Sequence, residues 1–459
     1  MSDVETYLGA HEAETIATLE DFCRIPSVST DPAYKSAIGD AAGFVAARLR
    51  DAGFPLVDIL ETGGHPCVIA EWCSAPGAPT VLVYGHYDVQ PPDPLDKWQT
   101  PPFEPTIREG RLYARGVSDD KGPLLIPIVV AEAFRTVRGG LPINLKMLIE
   151  GEEESGSPHF EPTVARLKQR LACDLVVSAD GAMWRADLPS MTVASRGMVA
   201  LDVTVTGASK DLHSGRHGGS APNAVRALIN MLASLHDDEG NVRVAGFASA
   251  ALPPDPAIID AIKVVDFDAG RYFDEIGAAR PSPLPSGDAL LTRQWLVPTL
   301  EFNGVSGGYA GPGTKTVIPA TASAKITCRL VAGQQPSDVA AAIRRHLETV
   351  LPSGYGLEVL QHGPGTVAFA LDPDLPALKI AGTILEELLG APPLRVAMGA
   401  TIPIGAVLQK HLGVGTIFFS FSTSDEDYHA PNEYFRLSSL HTGLIAWARL
   451  FERLGQTAA

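Results

Sequence analysis

The chain has 459 residues, a length that favours two domains over one hydrophobic core. Its formal net charge is −17 and it has no block of lysines and arginines, which disfavours binding to nucleic acid or to anionic membranes, since both need clustered cations. Hydrophobic residues make up 45% and charged residues 19%, a composition that supplies enough apolar side chains for buried sheets and helices.

The N-terminal segment and the cysteines favour a cytoplasmic protein. The first twenty residues are acidic and amphipathic, and they lack the basic start and the apolar core of a secretory signal. No run of about 18 or more apolar residues occurs, so no transmembrane helix is expected. The cysteines are odd in number, irregular in spacing and without a C-x-x-C pair, which favours a reduced chain without a structural thiolate zinc site.

The N-terminal part of the chain alternates between helical and strand patterns. Glycines mark the ends of two predicted helices, at Gly53 and at Gly139, although Pro123 and Pro127 disfavour a helix near the start of the second one. Strands that are separated by helices indicate a largely parallel sheet flanked by helices. The predicted helices are 4–25, 37–53 and 119–140, and the predicted strands are 80–85, 143–150 and 174–180.

A different pattern begins near residue 195. In 198–207, apolar residues alternate strictly with others, which predicts a strand with one solvent-exposed face. The order of elements that follows is typical of a ferredoxin-like β-α-β-β-α-β unit. After residue 370 the alternation of helices and strands resumes, so the smaller domain is predicted as an insertion in the larger one. The elements of the smaller domain are strand 198–207, helix 221–235, strand 323–331, helix 337–350 with Ser337 as its N-cap, and strand 355–361.

Histidines and acids follow the predicted strands of the larger domain. Because ligands bind beyond the carboxyl ends of strands in parallel α/β sheets, we expect these side chains to gather at one sheet edge. Each motif alone has an ordinary explanation, as a solvated turn or as the acidic first turn of a helix. Several such motifs at the ends of strands in one sheet favour a shared site. The residues that follow strands are His86, Asp88, Glu150, Glu152, Glu153, Glu154, Asp180 and His429, and a further loop carries Asp119 and Asp120 just before a helix.

The types of these residues indicate a metal centre. Two imidazoles with several carboxylates and no thiolate suit Zn²⁺, Mn²⁺ or Co²⁺ held by nitrogen and oxygen ligands. One metal ion needs three protein ligands, so the surplus of acids favours two ions about 3.5–4 Å apart that share a bridging carboxylate and a water. Clustered acids repel one another, and cations bound between them would remove that cost.

Five motifs, in this order and spacing, resemble the two-metal aminoacyl-peptidase family: GHYDVQP, ARGVSDDKGP, EGEEESGS, SADG and YHAPNE. The family includes carnosine-type dipeptidases, peptidase V, glutamate carboxypeptidase and acetylornithine deacetylase. The segments LHSGRHGG and GTKTVIPATASAKITCRLV look most like the carnosine-dipeptidase branch. The likeness covers nearly the whole chain.

The resemblance assigns metal ligands. It implies that His86 and Asp180 hold one divalent ion, that Glu154 and His429 hold the other, and that Asp119 bridges both. Zn²⁺ is the first expectation, with Mn²⁺ or Co²⁺ as alternatives. In the family the peptide bond after the bridging aspartate is cis, which here is the bond from Asp119 to Asp120.

The resemblance also implies the catalytic groups. Glu153 would be the general base that accepts a proton from a metal-bridging water and returns it to the leaving amine. Asp88 would accept a hydrogen bond from His86 and fix the tautomer of its ring. His213, in LHSG, resembles a donor to the tetrahedral oxyanion that reaches across from the partner subunit of a dimer. Without the resemblance, His213 is equally well explained as a loop histidine.

Four further residues resemble substrate contacts. Arg329 matches the arginine that grips the free carboxylate of the substrate, and Thr316 matches a weaker contact. The family's late GGS-I-P loop appears here as MGATIP, so that Gly399 is kept while Ala400 and Thr401 replace glycine and serine. Thr401 keeps a hydroxyl, but Ala400 loses the backbone freedom of glycine. The shape of the pocket, and with it the preferred substrate, is therefore open at this loop.

The resemblance as a whole implies a fold and a function. The fold class is α/β, with a mostly parallel mixed sheet in a zinc-peptidase-like catalytic domain (1–194 and 371–459) and an inserted ferredoxin-like lid and dimerisation domain (195–370). The expected protein is a homodimeric, cytoplasmic metallo-dipeptidase that cleaves short peptides with a free C-terminal carboxylate. An N-acyl-amino-acid amidohydrolase with the same two-metal centre is the alternative. A catalytically silent scaffold is disfavoured because every ligand and Glu153 are present.

Overall fold

The computed structural model describes residues 1–457, which form two compact units. Unit 1 consists of Met1–Val193, Leu371–Val396 and the residues from Val407 onward, and unit 2 consists of Ala194–Ala370 and Ala397–Ala406. The mixed α/β architecture confirms the expected fold class. Unit 2 begins one residue before the predicted boundary and also includes 397–406, which the sequence analysis placed in the larger domain.

Hydrogen bonds explain why Ala397–Ala406 belongs to unit 2. The carbonyl of Gly399 accepts a hydrogen bond from Arg196 Nε at 2.7 Å, and the hydroxyl of Thr401 accepts one from Arg329 Nη1 at 2.6 Å. Both arginines belong to unit 2. These long-range polar contacts have no signature in the local sequence pattern.

Unit 1 contains a six-stranded mixed sheet. The pairings of Thr80–His86 with Asn144–Glu150 and with Leu175–Ser178 are parallel, and so is the pairing of Leu175–Ser178 with Thr416–Phe418. The other two pairings are antiparallel. The strand order is Leu56–Leu60, Cys67–Trp72, Asn144–Glu150, Thr80–His86, Leu175–Ser178 and Thr416–Phe418.

A smaller antiparallel sheet in unit 1 holds Thr106–Arg108, Arg111–Tyr113 and Tyr434–Arg436. It joins the segment that leads to Asp119 with the segment that follows His429. The remaining strands of the chain outside the two main sheets are Ser190–Ser195, Leu212–His213, Val317–Ile318, Phe369–Ala370 and Leu394–Met398.

The helices of unit 1 begin and end largely where the sequence indicated. The helix Lys35–Ala52 ends at Gly53 in a left-handed conformation, and Gly122–Arg138 ends in the same way at Gly139. Pro123 lies in the first turn of its helix, where its missing N–H has no intrahelical acceptor. The helices of this unit are Asp3–Ala10, Glu12–Cys23, Lys35–Ala52, Gly122–Arg138, Phe160–Leu167, Pro376–Leu389 and Leu437–Gln456, and Pro403–Leu412 spans the division between the units.

The predicted helix 4–25 is in fact two helices. The first ends at Ala10 and the second begins at Glu12, with His11 between them. The Nδ1 atom of His11 lies 2.8 Å from the carbonyl oxygen of Tyr7, and the two rings stack with centroids 4.0 Å apart. The apolar periodicity continues through this break, so the sequence pattern did not reveal it.

Unit 2 is built on a four-stranded antiparallel sheet. Its strand order is Thr299–Gly307, Thr321–Leu330, Gly197–Thr206 and Gly356–Gln361. The helices Ala224–Ala233 and Pro336–Val350 contribute to the same hydrophobic core as the sheet. The alternation predicted for 198–207 is confirmed, because Val199, Leu201, Val203 and Val205 are all buried and the residues between them are not.

Two features of unit 2 differ from the sequence-based expectation. The second strand of the ferredoxin-like unit, Thr299–Gly307, lies in a segment in which no strand was located. Three helices precede it: Pro256–Val264, Ala269–Glu275 and Gly287–Leu296. Ser337 is not an N-cap, since the helix begins at Pro336 and Gln335 occupies the cap position without a side-chain hydrogen bond.

Over residues 1–457 no helix combines the length and the hydropathy that crossing a bilayer requires. All five cysteines are free thiols.

Candidate metal centre

Parallel pairing brings the ends of three strands to one edge of the main sheet. His86 is the last residue of its strand and pairs with Glu150, the last residue of the neighbouring strand. On the other side, Tyr84 pairs with Ser178, and Asp180 follows two residues later. The side chains that follow these strands are therefore directed into a common region, as the sequence predicted.

Two groups of three side chains meet at this edge. In each group, the candidate ligand atoms all lie within 4.8 Å of one another. The first group holds His86, Asp119 and Asp180, and the second holds Asp119, Glu154 and His429. The structure thus brings together all five residues that the sequence assigned as ligands, although they span more than 340 positions of the chain.

Asp119 belongs to both groups, and each of its oxygens faces a different histidine. Its Oδ1 lies 3.0 Å from His86 Nε2, and its Oδ2 lies 3.0 Å from His429 Nε2. His429 Nε2 also lies 3.1 Å from Glu154 Oε2. A carboxylate whose two oxygens each contact a different histidine is the arrangement expected of a ligand that bridges two ions.

The donor set fits a pair of divalent cations. Around a tetrahedral ion with bonds of about 2.1 Å, neighbouring ligand atoms lie about 3.4 Å apart, and the contacts of the two histidines with Asp119 and Glu154 are 3.0 to 3.1 Å long. The ligands are imidazole nitrogens and carboxylate oxygens without thiolates, which suits Zn²⁺, Mn²⁺ or Co²⁺. The structure fits the ligand assignment that was made from the resemblance.

The tautomer of His86 also suits a ligand. Its Nδ1 lies 3.0 Å from the main-chain oxygen of Asp88, which can only accept, so Nδ1 carries a proton. Nε2, which faces Asp119, is then the nitrogen with a lone pair for a metal when the ring is neutral. The side chain of His86 is fully buried, so this orientation is held by its surroundings.

The carboxylate of Asp88 has a different main contact from the one expected. Its Oδ1 lies 3.4 Å from His86 Nδ1, whereas the carbonyl of Asp88 is the closer partner of that ring. Its two oxygens accept hydrogen bonds from the main-chain N–H groups of Glu153 at 3.2 Å and Glu154 at 3.0 Å. Asp88 therefore holds in place the turn that carries both glutamates, in addition to orienting His86.

Burial of several acids together raises their pKa values. Burial, with the nearby charge of Asp119, raises the pKa of Glu154 to about 7 and that of Asp180 to about 6. Burial likewise raises the pKa of Glu153 well above the ordinary value of a carboxyl. Cations between these side chains would favour their ionised forms and reverse the direction of the shift for the ligands.

The pKa of Asp119, the carboxylate that both groups share, is shifted in the opposite direction. Although burial alone would raise the pKa of Asp119, hydrogen bonds from His429 and His86 hold it below the usual range of a carboxyl. Hydrogen bonds to Asp119 and Glu154 raise the pKa of His429 to about 10. The contacts with the two imidazoles thus favour the ionised form of Asp119.

The sequence pattern of peptidase family M20/M25/M40 matches residues 82–453 of the chain. The chain belongs to this family. The match confirms the resemblance to two-metal peptidases that the five motifs indicated.

Two proteins with assigned names and one solved structure are similar to the chain along nearly their whole length. A mouse (Mus musculus) protein named Beta-Ala-His dipeptidase is 29% identical over 467 residues, covering 98% of this chain and 94% of the mouse protein. A Cys-Gly metallodipeptidase of Saccharomyces cerevisiae is 29% identical, with coverage of 93% and 92%. The structure of an M20 family metallo-carboxypeptidase of Sulfolobus solfataricus superimposes with a TM-score of 0.83 at 26% identity, covering 97% of this chain and 100% of that one.

The turn that carries Asp119 has the backbone that the family resemblance implied. The peptide bond between Asp119 and Asp120 is cis, which confirms that expectation. The side chain of Asp120 is fully buried, and its Oδ2 accepts a hydrogen bond from the main-chain N–H of His86 at 3.2 Å. Gly85 makes room for it, since a Cβ at that position would lie 2.7 Å from the same oxygen.

Gln90 is a member of the site that the sequence analysis did not single out. Its Nε2 donates to Glu154 Oε2 at 2.8 Å, the same oxygen that faces His429. It also lies 3.3 Å from the carbonyl oxygen of Glu154. The motif GHYDVQP contains this residue, but only the fold shows that its amide meets a ligand from another strand end.

Replacing Gln90 by methionine should weaken metal binding. The substitution keeps the length of the side chain but removes the donor that orients Glu154, and the loss of such a partner typically costs about 10- to 100-fold in metal affinity or activity. Metal retained per chain after dialysis against a graded chelator would measure this effect. Retention equal to that of the wild type would show that the Gln90 amide does not orient Glu154.

The substrate-contact candidates lie in unit 2 and form two groups there. The strand containing His213 pairs with the strand that follows Thr316, and the carbonyl of Thr316 accepts a hydrogen bond from the main-chain N–H of Ser214 at 3.0 Å. The side chain of His213 is exposed, and its Nδ1 accepts from the N–H of Gly215 at 3.0 Å. Nε2 of a neutral His213 is therefore protonated and free to donate.

The second group is built around the turn Gly399–Thr401. Arg329 donates to the hydroxyl of Thr401, and Arg196 donates to the carbonyl of Gly399. The main-chain N–H of Arg196 also donates to the carbonyl of Ala400 at 3.0 Å. Arg196 thus fixes the turn at the position where the sequence departs from the family pattern, and it was not identified beforehand.

Proposed function

We propose that the chain is a metal-dependent dipeptidase with a two-metal centre. The observation that carries this proposal is the position of Asp119, whose two oxygens face His86 on one side and His429 on the other at 3.0 Å each. Membership in a peptidase family supplies the reaction class, which is hydrolysis of a peptide bond. His86 and Asp180 would hold one ion, Glu154 and His429 the other, and Asp119 both.

The metal ions, Glu153 and Asp88 would each have a different role in the reaction. Two divalent ions would supply Lewis-acid polarisation of the scissile carbonyl and a lowered pKa of a nearby water. Glu153 lies next to a ligand but belongs to neither ligand group, so its carboxylate is available to accept a proton from water and to deliver it to the leaving amine. Asp88 keeps Glu153 in place through the main-chain hydrogen bond.

Residues of unit 2 would bind the substrate. Among residues 1–457 the Nε2–H of His213 has no hydrogen-bond acceptor, which suits a donor to a developing oxyanion, and Thr316 directly precedes the strand that pairs with His213. Arg329, with Thr401 and Gly399 at the adjoining turn, would hold the free carboxylate of the substrate. The guanidinium of Arg329 matches the geometry of a carboxylate, which supports this assignment.

The names of the relatives favour a dipeptide over an acylated amino acid. The mouse protein is named for Beta-Ala-His and the yeast protein for Cys-Gly, both of which are dipeptides with a free carboxylate. An N-acyl-amino-acid amidohydrolase is the alternative, since the same metal centre could serve both reactions.

A substrate panel separates the two activities. Zinc-loaded and manganese-loaded protein would be incubated with Beta-Ala-His, Cys-Gly, N-acetyl and N-succinyl amino acids, and release of the free amino acid would be measured. We expect turnover of the dipeptides and little or none of the acyl compounds. Turnover of the acyl compounds alone would contradict the dipeptidase proposal.

Three finer properties also belong to the proposal. Zn²⁺ is the first candidate metal because the ligand set of imidazoles and carboxylates suits it, with Mn²⁺ and Co²⁺ next. A homodimer through unit 2 is supported by the edge strand Thr299–Gly307, on which Phe302 and Val305 are 41% and 58% exposed. A reducing, cytoplasmic compartment is supported by the five free thiols.

A further inference from the structure

Glu433 is a buried acid outside both ligand groups, and its carboxylate is surrounded by donors from a single turn. Its side chain is 1% exposed and pairs with Arg115, which is equally buried, at 2.8 Å from Nη1 to Oε2. The last residue of the motif YHAPNE is therefore an interior anion. The reaction as described above gives it no part.

Three main-chain N–H groups donate to this carboxylate. Oε2 accepts from Gly116 at 2.7 Å, and Oε1 accepts from Ser118 at 2.9 Å and from Asp119 at 3.2 Å. Together with Arg115, four donors converge on two oxygens. The donors are successive parts of the turn that carries the shared ligand, so the carboxylate fixes the path of that turn directly.

Further contacts restrict the backbone of this turn at Gly116 and Ser118. Gly116 has φ 77°, and a Cβ there would lie 2.1 Å from Val89 Cγ1, so only glycine fits between the neighbouring segment and the carboxylate. Ser118 is held from its other side as well, because its hydroxyl donates to Glu426 at 2.6 Å. The position of Asp119 thus depends on contacts with the segment 426–433.

Glu433 is itself fixed relative to His429. It directly precedes the strand Tyr434–Arg436, where Tyr434 pairs with Tyr113. Its carbonyl accepts a hydrogen bond from the N–H of Ala114 at 3.2 Å. A single residue, four positions after His429, therefore ties the turn of Asp119 to the loop of His429.

We infer that Glu433 is a positioning residue that sets the distance between Asp119 and His429 and thereby determines how tightly the metal pair is held. The inference rests on the proposed two-metal function. It differs from a general role in stability, because it assigns the effect of Glu433 to the two ligands that share the second ion.

The test uses Glu433→Gln in the full-length, zinc-loaded protein. Glutamine keeps the shape of the side chain but offers one acceptor oxygen, and its amide group would face donors instead of accepting from them. We expect the chelator concentration that removes half of the bound zinc to fall by about 10- to 100-fold, with metal counted by mass spectrometry after dialysis. The shorter Glu433→Asp, which keeps the charge, should give an intermediate loss.

A matched control is available in unit 1. Glu5 is 3% exposed and accepts from Arg449 Nε at 2.7 Å, so it is a buried glutamate–arginine pair that has no contact with the Asp119 turn. Glu5→Gln should retain zinc like the wild type at a temperature where all variants are folded. If Glu433→Gln gives no folded protein, Glu433→Asp against Glu5→Gln provides the same comparison.

The possible outcomes distinguish the role inferred for Glu433 from the proposed function. Equal zinc retention by the wild type and the Glu433 variants would overturn the inference and leave the proposed function intact. Equal losses in the Glu433 and Glu5 variants would also overturn it, because the effect would then be one of general stability. A wild-type chain that retains no zinc and cleaves no dipeptide would contradict the proposed function itself.

Discussion

Replacing Glu153 by glutamine should lower the turnover of a dipeptide by about 10²- to 10⁴-fold while leaving the metal content unchanged, because general acid–base groups contribute on that scale. Glutamine has the shape of glutamate but cannot accept a proton and return it. The main-chain hydrogen bond from residue 153 to Asp88 does not involve the altered side chain, so the turn should keep its conformation.

The retained metal is the decisive part of this result. Glu153 belongs to neither ligand group, so its replacement should leave both ions bound. Turnover with excess substrate and metal per chain would be measured on the same preparation. Unchanged turnover would reject Glu153 as the base, and loss of metal together with activity would make it a ligand instead.

Glu152 provides the control for this variant. It lies next to Glu153 in the same motif, and its carboxylate lies 2.9 Å from His159 Nδ1 and accepts from the main-chain N–H of His65 at 3.0 Å. Within residues 1–457 its carboxylate makes no hydrogen bond or ion pair with a member of either ligand group. We expect Glu152→Gln to turn over dipeptides at a rate close to that of the wild type, which would show that removing a charge from this segment is not enough to abolish activity.

Replacing Asp119 by alanine should remove both metal ions and abolish turnover. Asp119 is the only residue shared by the two ligand groups among those in the described part of the chain, so each group would fall to two ligands. The two imidazoles would also lose the carboxylate that both of them contact at 3.0 Å. Metal content per chain, measured by mass spectrometry, would check the result.

His429→Ala is the matched comparison for Asp119→Ala. It removes one ligand from the second group and leaves the first group of His86, Asp119 and Asp180 complete. We expect this variant to retain one ion where the Asp119 variant retains none. If the two variants lose the same amount of metal, Asp119 does not bridge the two groups.

Sequence patterns were sufficient to predict which side chains gather at this edge of the sheet, because several of them lie at the ends of strands. A buried strand has an apolar run that stops where the chain leaves the sheet. The ends of these runs therefore indicated the positions of His86 and Asp180. Parallel pairing then places such ends at one edge, whatever their separation along the chain. The same pattern also brought Asp119 and His429 into the expected site, whereas the ligand roles of all five residues depended on the family resemblance.

The polar residues that hold candidate site residues in place could not be predicted in the same way. Gln90, Arg196 and Glu433 act through hydrogen bonds to residues that are distant in sequence, and a single polar side chain in a loop has no periodicity to mark it. The main role of the Asp88 carboxylate escaped for the same reason, since its partners are main-chain N–H groups rather than side chains.

The missed elements of the fold have local causes. In the strand Thr299–Gly307 polar and apolar residues alternate only as far as Asn303, where a register shift between Phe302 and Gly304 interrupts the strand, and only Leu300 is buried. Ser337 follows a proline that already starts its helix, which displaced the cap to Gln335.

The proposed two-metal centre requires a pair of ions on the two sides of Asp119. Crystals of the zinc-loaded protein, measured at the zinc absorption edge, would locate the metal by anomalous scattering. We expect two peaks per chain about 3.5–4 Å apart, one beside His86 and Asp180 and the other beside Glu154 and His429. A single peak at this edge of the sheet, or peaks remote from Asp119, would contradict the account.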